Sequence, residues 1–234
     1  MLIKKMIFRL LGENLKIAVY GFVTRFRIKL FGKKAIKEFH RITAEHNKTY
    51  WLAFGTLLGA YREGGFIKND DDIDVSMFCS DITSDFIDSL RFNGFLLDHC
   101  ILTGDKRFCQ LSFSYHGIPF DIYGFRNCSS DDFITGFIPR AIHGKDWNES
   151  FRLNKFKILH VKMPFGGTKL VDFAGIHSYI PIQTKEFLRM HYGEDFMTPI
   201  KGKKGSSRET IVEIPIDEQT ASIVPLQNIY KTFS

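Results

Sequence analysis

Four aspartates crowd into the stretch WLAFGTLLGAYREGGFIKNDDDIDVSMF, residues 51–78, and their setting constrains the chain more than any other feature. Trp51–Phe54 reads as a short buried strand that ends at Gly55-Thr56, and Leu57–Arg62 reads as one or two helical turns starting there. Glu63-Gly64-Gly65 reverses the chain, and Ile73–Met77 alternates as a strand does. Asp72 and Asp74 are two residues apart in that strand pattern and so point to one face. Glycine allows close backbone approach, and free amides at a helix start attract anions. Gly55 and Thr56 are therefore candidate phosphate donors and Arg62 a candidate source of positive charge. Asp72 and Asp74 are a candidate pair of ligands for Mg²⁺ or Mn²⁺. Acidic turns are usually solvated, but this pair lies where the chain becomes apolar, and a buried carboxylate pair without a cation is costly.

Further along, Phe108–Tyr115 alternates as a strand, His116-Gly117 suits a turn, and Ile118–Phe125 pairs back as a hairpin strand carrying Asp121. Pro119 points to an irregular or edge start of that strand. With the upstream motif present, Asp121 is a candidate third carboxylate, although an Asp between Phe120 and Ile122 also suits a structural hydrogen bond.

The run GTLLGAYREGGFIKNDDDID resembles the signature of the LicD and fukutin-related family of phosphotransferases. Phe120-Asp121-Ile122-Tyr123 looks like the family's third-carboxylate strand, and FLRMHYGEDF, residues 187–196, like its closing helix and Tyr-Gly element. The resemblance covers residues 35–200. The family pattern usually has Pro-Trp ahead of the acidic run, where this chain has Lys68-Asn69, a departure that bears on the donor. The resemblance implies an α+β, nucleotidyltransferase-like mixed sheet flanked by helices. It also implies transfer of a phosphorylated alcohol, such as phosphocholine or glycerol phosphate, from a CDP-linked donor to a glycan or glycolipid hydroxyl. Asp72, Asp74 and Asp121 would then hold the metal, with Asp121 also serving catalysis. Three alternatives are a nucleotidyltransferase acting on a small alcohol or sugar phosphate, an Asp-x-Asp glycosyltransferase, and a non-enzymatic membrane-associated scaffold. No nucleic-acid partner is expected.

Residues 1–48 hold twelve Lys and Arg against three Glu, a net of +9, which leaves −3 for the rest of a chain whose total is +6. The basic character therefore belongs to residues 1–33, a basic amphipathic segment with apolar residues at helical spacing. No run there approaches a membrane span, and the recurring charges do not suit a signal peptide. The segment either rests on anionic lipid or packs on the domain with a solvated basic face. A cytoplasmic enzyme, at the inner face of the membrane if the first reading holds, is the expectation.

Residues 34–200 read as the catalytic domain, with 44% hydrophobic residues and 24 Phe supplying an ample core. Ala35–Asn47 is an amphipathic helix. Ser80 or Asp81 suits a cap for a helix running to Gly94, and Phe95–His99 and Phe156–Met163 read as strands. Thr184 suits the cap of a helix ending near Gly193. Residues 128–154 resist assignment and read as a loop, with Trp147 either a stacking platform or a loop anchor. Residues 201–234 read as a basic linker and mobile tail. Four cysteines without paired spacing indicate reduced thiols rather than zinc ligands.

Overall fold

The computed structural model describes residues 13–128, 132–142, 146–199, 211–212 and 220–233. It opens with one helical rod: α1 (Glu13–Arg27), a π turn at Ile28–Gly32, and α2 (Lys33–Glu45), with helical dihedrals at both junctions. The rod runs unbroken through residue 33. The periodicity of α2 buries Ala35, Ile36, Phe39, Ile42 and Thr43. Phe39 meets Tyr50, Phe86, Phe95 and Phe120, so α2 covers the apolar face of the sheet.

The fold is α+β. After β1 (Tyr50–Leu52), α3 (Phe54–Glu63) and β2 (Ile73–Phe78) come α4 (Ser84–Phe92), β3 (Phe95–Thr103), β4 (Phe108–Tyr115), β5 (Ile118–Asn127), β6 (Phe133–Arg140), α5 (Trp147–Leu153) and β7 (Phe156–Pro164). A β8–β9 hairpin (Thr168–Phe173, Ile176–Pro181), α6 (Thr184–Tyr192), β10 (Ile211–Val212), β11 (Thr220–Val224) and α7 (Leu226–Phe233) complete it. The nine-stranded sheet runs β1-β2-β5-β4-β3-β11-β7-β10, with β6 bridging β5 and β7. Among the described residues, only β2 and β5 pair in parallel. Strands β5, β4, β3, β11, β7 and β6 thus close on themselves, and Ile101, Cys109, Phe137, Phe156, Ile158 and Ala221 form a small core of their own within that circuit.

Period-two alternation sorts the central strands. Ile73, Val75, Phe120, Ile122, Leu111 and Phe113 lie in the main core with the helices, whereas Asp74, Ser76, Asp121, Tyr123, Gln110 and Ser112 occupy the alternate positions.

Several sequence expectations shift. The cap of α4 is Thr83, whose hydroxyl accepts the Phe86 N–H, while Cys79–Asp81 form a 3₁₀ turn. Thr184 is the first residue of α6 and donates its hydroxyl to the Pro181 carbonyl instead of capping the helix. Pro119 sits in a central strand, paired with Ser114 of β4 just ahead of the first β2 pair at Phe120, where a missing N–H breaks no bond to β2. The unassigned region holds strand β6 and helix α5, whose Asp146 cap accepts the Glu149 N–H at 2.8 Å. The linker's residues 201–210 lie outside the described residues. Beyond it, β11 inserts between β3 and β7, and Tyr230 of α7 hydrogen-bonds Asp88 at 2.6 Å. All four cysteines are free, and burial pushes the thiols of Cys79 and Cys100 up to about 11 and about 12.

Candidate active site

The site begins where β1 hands the chain to α3. Ala53 N–H donates to the Asp74 carbonyl at 3.0 Å, and Asp74 N–H donates to Thr56 Oγ1 at 2.9 Å. Thr56, 1% exposed, thereby fastens the first turn of α3 to β2, its oxygen used as an acceptor from the chain itself. Phe54 enters the helix at a φ of 43°, a conformation unusual for a side-chain-bearing residue, wedged between Tyr123 and His191 at 4.7 and 4.8 Å.

The loop from α3 to β2 is shaped by Asp70. Its Oδ2 accepts the Ile67 N–H at 3.1 Å, and its Oδ1 lies 3.1 Å from where a Cβ on Gly55 would sit. Gly55 therefore leaves room for the carboxylate of its own loop. Burial raises Asp70 to about 6, with Asp71 and Glu63 adding to the rise and the Ile67 amide and Arg62 opposing it. Arg62 itself donates to Glu63 at 2.8 Å, so its charge falls on the Asp70 loop.

Asp74 and Asp121 come together through register. β2 and β5 pair in parallel with Asp74 opposite Asp121, and across β4 and β3 the row continues through Ser112 to His99. Asp74 is 6% exposed, and its Oδ1 has no hydrogen-bond partner. Desolvation lifts its carboxyl well above the usual range; the charges of Asp72, Asp121 and Asp70 push the same way and Arg140 opposes. Desolvation also raises Asp121, against hydrogen bonds from Ser112 and Gln110 and the charge of His99. Asp72 stands just ahead of β2, and its charge acts on Asp74, Tyr123 and Tyr192 alike. All three predicted carboxylates thus address one region.

Among the described residues, no three Asp, Glu, His or Cys side chains converge into a ready metal cage. Mg²⁺ rarely uses one: it takes one or two carboxylates together with substrate phosphates and water. An aspartate pair with an unpartnered buried oxygen fits a hard cation that arrives with its phosphates.

Residues 47–181, more than half of the chain, match the LicD/FKTN/FKRP nucleotidyltransferase domain. The chain belongs to this family. Ribitol-5-phosphate transferase FKTN of Macaca fascicularis is 30% identical over 176 residues, 72% of this chain and 34% of that protein, and its Mus musculus counterpart is 29% identical over the same shares. An uncharacterized protein of Rickettsia prowazekii is 40% identical over 65 residues, 25% of this chain and 24% of its own. The LicD-family chain spans about a third of the length of the FKTN relatives it matches.

Three residues of this LicD-family site have no role in the sequence reading, although two of them, Tyr123 and Tyr192, fall in the runs that carry the family resemblance. Arg140 closes β6, and its guanidinium is the cation that acts on Asp74, Tyr123 and Tyr192. Its segment was unreadable because Ile134, Gly136 and Ile138 are as buried as Phe137 and Pro139, which erases alternation. Tyr123 and Tyr192 face the acidic group, and burial raises both phenols, Asp74 adding to each. Tyr123 is two residues past Asp121 and Tyr192 is the tyrosine of the Tyr-Gly element in residues 187–196, so both were within reach of the sequence. His191, buried beside Arg140, is lowered to about 3 by desolvation first and that charge second, so it stays neutral. Two further arginines near Asp121 in the sequence have other partners: Arg107 pairs with Asp105 at 2.6 Å and covers the Phe137 ring, and Arg126 acts on Cys79. Trp147 begins α5, half-exposed, against Phe151 and Phe156, and Phe151 meets His99 at 5.1 Å, the far end of the Asp74–Asp121–Ser112 row.

Proposed function

We propose that this chain is a metal-dependent phosphotransferase that moves a phosphorylated alcohol from a CDP-linked donor to a hydroxyl of a glycan or glycolipid. One observation carries the reading: Asp74 and Asp121 stand side by side on parallel strands with Asp74 Oδ1 buried and unpartnered. Such a pair is unfavourable unless a cation joins it. The relatives named for ribitol-5-phosphate transfer make ribitol phosphate the first alcohol to test.

In this reading Asp72, Asp74 and Asp121 hold Mg²⁺ or Mn²⁺, which when bound neutralises charge on the diphosphate and on the departing nucleotide. Arg140 adds a fixed cation, and its delocalised fork suits phosphate oxygens. Gly55 and Thr56 offer amides of the α3 start, while Arg62 steadies the Asp70 loop. Asp121 accepts the proton of the acceptor hydroxyl as that oxygen bonds to the phosphorus of the alcohol phosphate. The bond from that phosphorus to CMP breaks, and CMP leaves with the electron pair.

The test is product analysis. The full chain is incubated with Mn²⁺, an oligosaccharide acceptor panel, and CDP-ribitol, CDP-glycerol, CDP-choline or a nucleotide sugar. A phosphodiester-linked alcohol with equimolar CMP is the expected product. Nucleotide incorporation would make it a nucleotidyltransferase and a glycoside a glycosyltransferase. Absence of metal-dependent CMP release from every donor would overturn the enzymatic reading.

A further inference from the structure

The N-terminal rod has two unlike faces. Gly21, Thr24 and Ile28 are buried, Arg27 Nη1 donates to the Gly117 carbonyl at 3.1 Å, and Phe31 stacks on His116 at 4.7 Å. That face is fixed to the β4–β5 turn. Away from it, Leu15, Phe22, Phe26 and Leu30 are 51%, 68%, 54% and 56% exposed. Steps of seven, four and four residues put them on one helical stripe. The same line continues into α2 with exposed Lys33, Lys34 and Lys37, and Lys29 stands beside it. The nearby acids of the rod do not answer these lysines, since Glu38 and Glu45 both pair with Arg41. No described helix is long and apolar enough to cross a membrane.

We propose that this stripe is a docking surface for an anionic lipid bilayer. The rod lies in the headgroup plane, Phe22, Phe26 and Leu30 entering the acyl boundary while Lys29, Lys33, Lys34 and Lys37 meet lipid phosphates. A bilayer answers both features at once. A second copy does not, because a two-fold pairing of this stripe sets lysines against lysines or against the phenylalanines, and neither supplies an anion. The Arg27 and Phe31 anchors join the docked rod to the turn that opens the Asp121 strand.

The test is co-sedimentation of the full chain with vesicles of equal parts phosphatidylglycerol and phosphatidylcholine, compared with phosphatidylcholine alone. The unmodified chain should sediment with the mixed vesicles and weaken as salt rises. Phe22→Ser with Phe26→Ser should lower the partition constant at least about tenfold at every salt concentration, as expected when two large apolar side chains are lost. Lys29, Lys33, Lys34 and Lys37 all changed to Gln should bind mixed vesicles no better than neutral ones. Circular dichroism melting checks that each variant folds, and the lysine variant keeps the test open should the phenylalanine variant fail. Failure of the full chain to sediment, or variants that bind as it does, would overturn the proposal. So would a lipid-free dimer that the phenylalanine variant turns into monomer, which would assign the stripe to a second copy.

Discussion

Asp74→Asn should make the metal-free protein more stable while abolishing metal-dependent donor binding. The Asp74 carboxylate is buried, one oxygen is unpartnered, and Asp72, Asp121 and Asp70 all act against its charge. Neighbouring strands lie about 4.8 Å apart, and two unit charges about 5 Å apart at an effective dielectric constant of about 20 repel by roughly 3 kcal/mol. Arg140 and partial protonation offset part of this, leaving an expected gain of about 1–2 kcal/mol, or about 2–8 °C in Tm for a chain of this size. The sign depends on pH. Because the folded carboxyl sits above its unfolded value, the folded state holds the proton more tightly. The penalty of the charge is then complete above the folded value and fades as pH falls toward about 4, where the unfolded chain is protonated too. The gain from Asn should follow that course. Scanning calorimetry in EDTA at pH 8 and at pH 4.5 reads it directly. With Mn²⁺ and donor at about a hundred times Kd, the unmodified chain should gain about 2.7 kcal/mol and the variant nothing. A metal-free variant that melts lower at pH 8, or one that donor still stabilises, would refute the reasoning.

Asp121→Asn keeps the shape and one acceptor oxygen but cannot take a proton, so single-turnover rates at saturating donor should fall by about 10²-fold or more, with donor affinity changed far less. Arg140→Gln removes the cation that opposes the carboxylates and should weaken Mn²⁺-dependent CDP binding about tenfold or more in titration calorimetry; unchanged affinity would leave Arg140 a purely structural counter-ion. Thr56→Val preserves volume but strands the buried Asp74 N–H, which should cost about 1–3 kcal/mol in denaturant midpoint analysis. His191 is held neutral with its pKa lowered to about 3, so its stabilising contribution is full above the unfolded value near about 6.5 and declines as pH falls below it. Between pH 7 and pH 5 the unmodified chain should lose about 2 kcal/mol more stability than His191→Gln does, and equal losses would contradict the burial argument.

What was legible in the sequence is local. The helix of α2 and the strands β2, β4 and β5 follow from period and spacing, because those patterns are set by neighbours two to four residues apart; Asp72, expected on the strand face of Asp74, stands just ahead of β2. The family signature rested on the same short run, and Tyr123 was within reach of the rule that exposed Asp121. What the tertiary structure decided is register and closure. That Asp121 lies opposite Asp74, and that Ser112 and His99 continue the row, depends on strand pairings between residues far apart in the chain. Arg140 entered only because β6 folds across the end of β5, on a strand whose two faces are both apolar and so carry no period. Thr56 and Gly55 each have a structural part that only the fold shows, one accepting the Asp74 amide and the other making room for Asp70. The Ala221 strand, Thr220–Val224, is only five residues long and too short to announce itself; it is a strand because β3 and β7 present open edges on either side, and backbone amides buried there require partners.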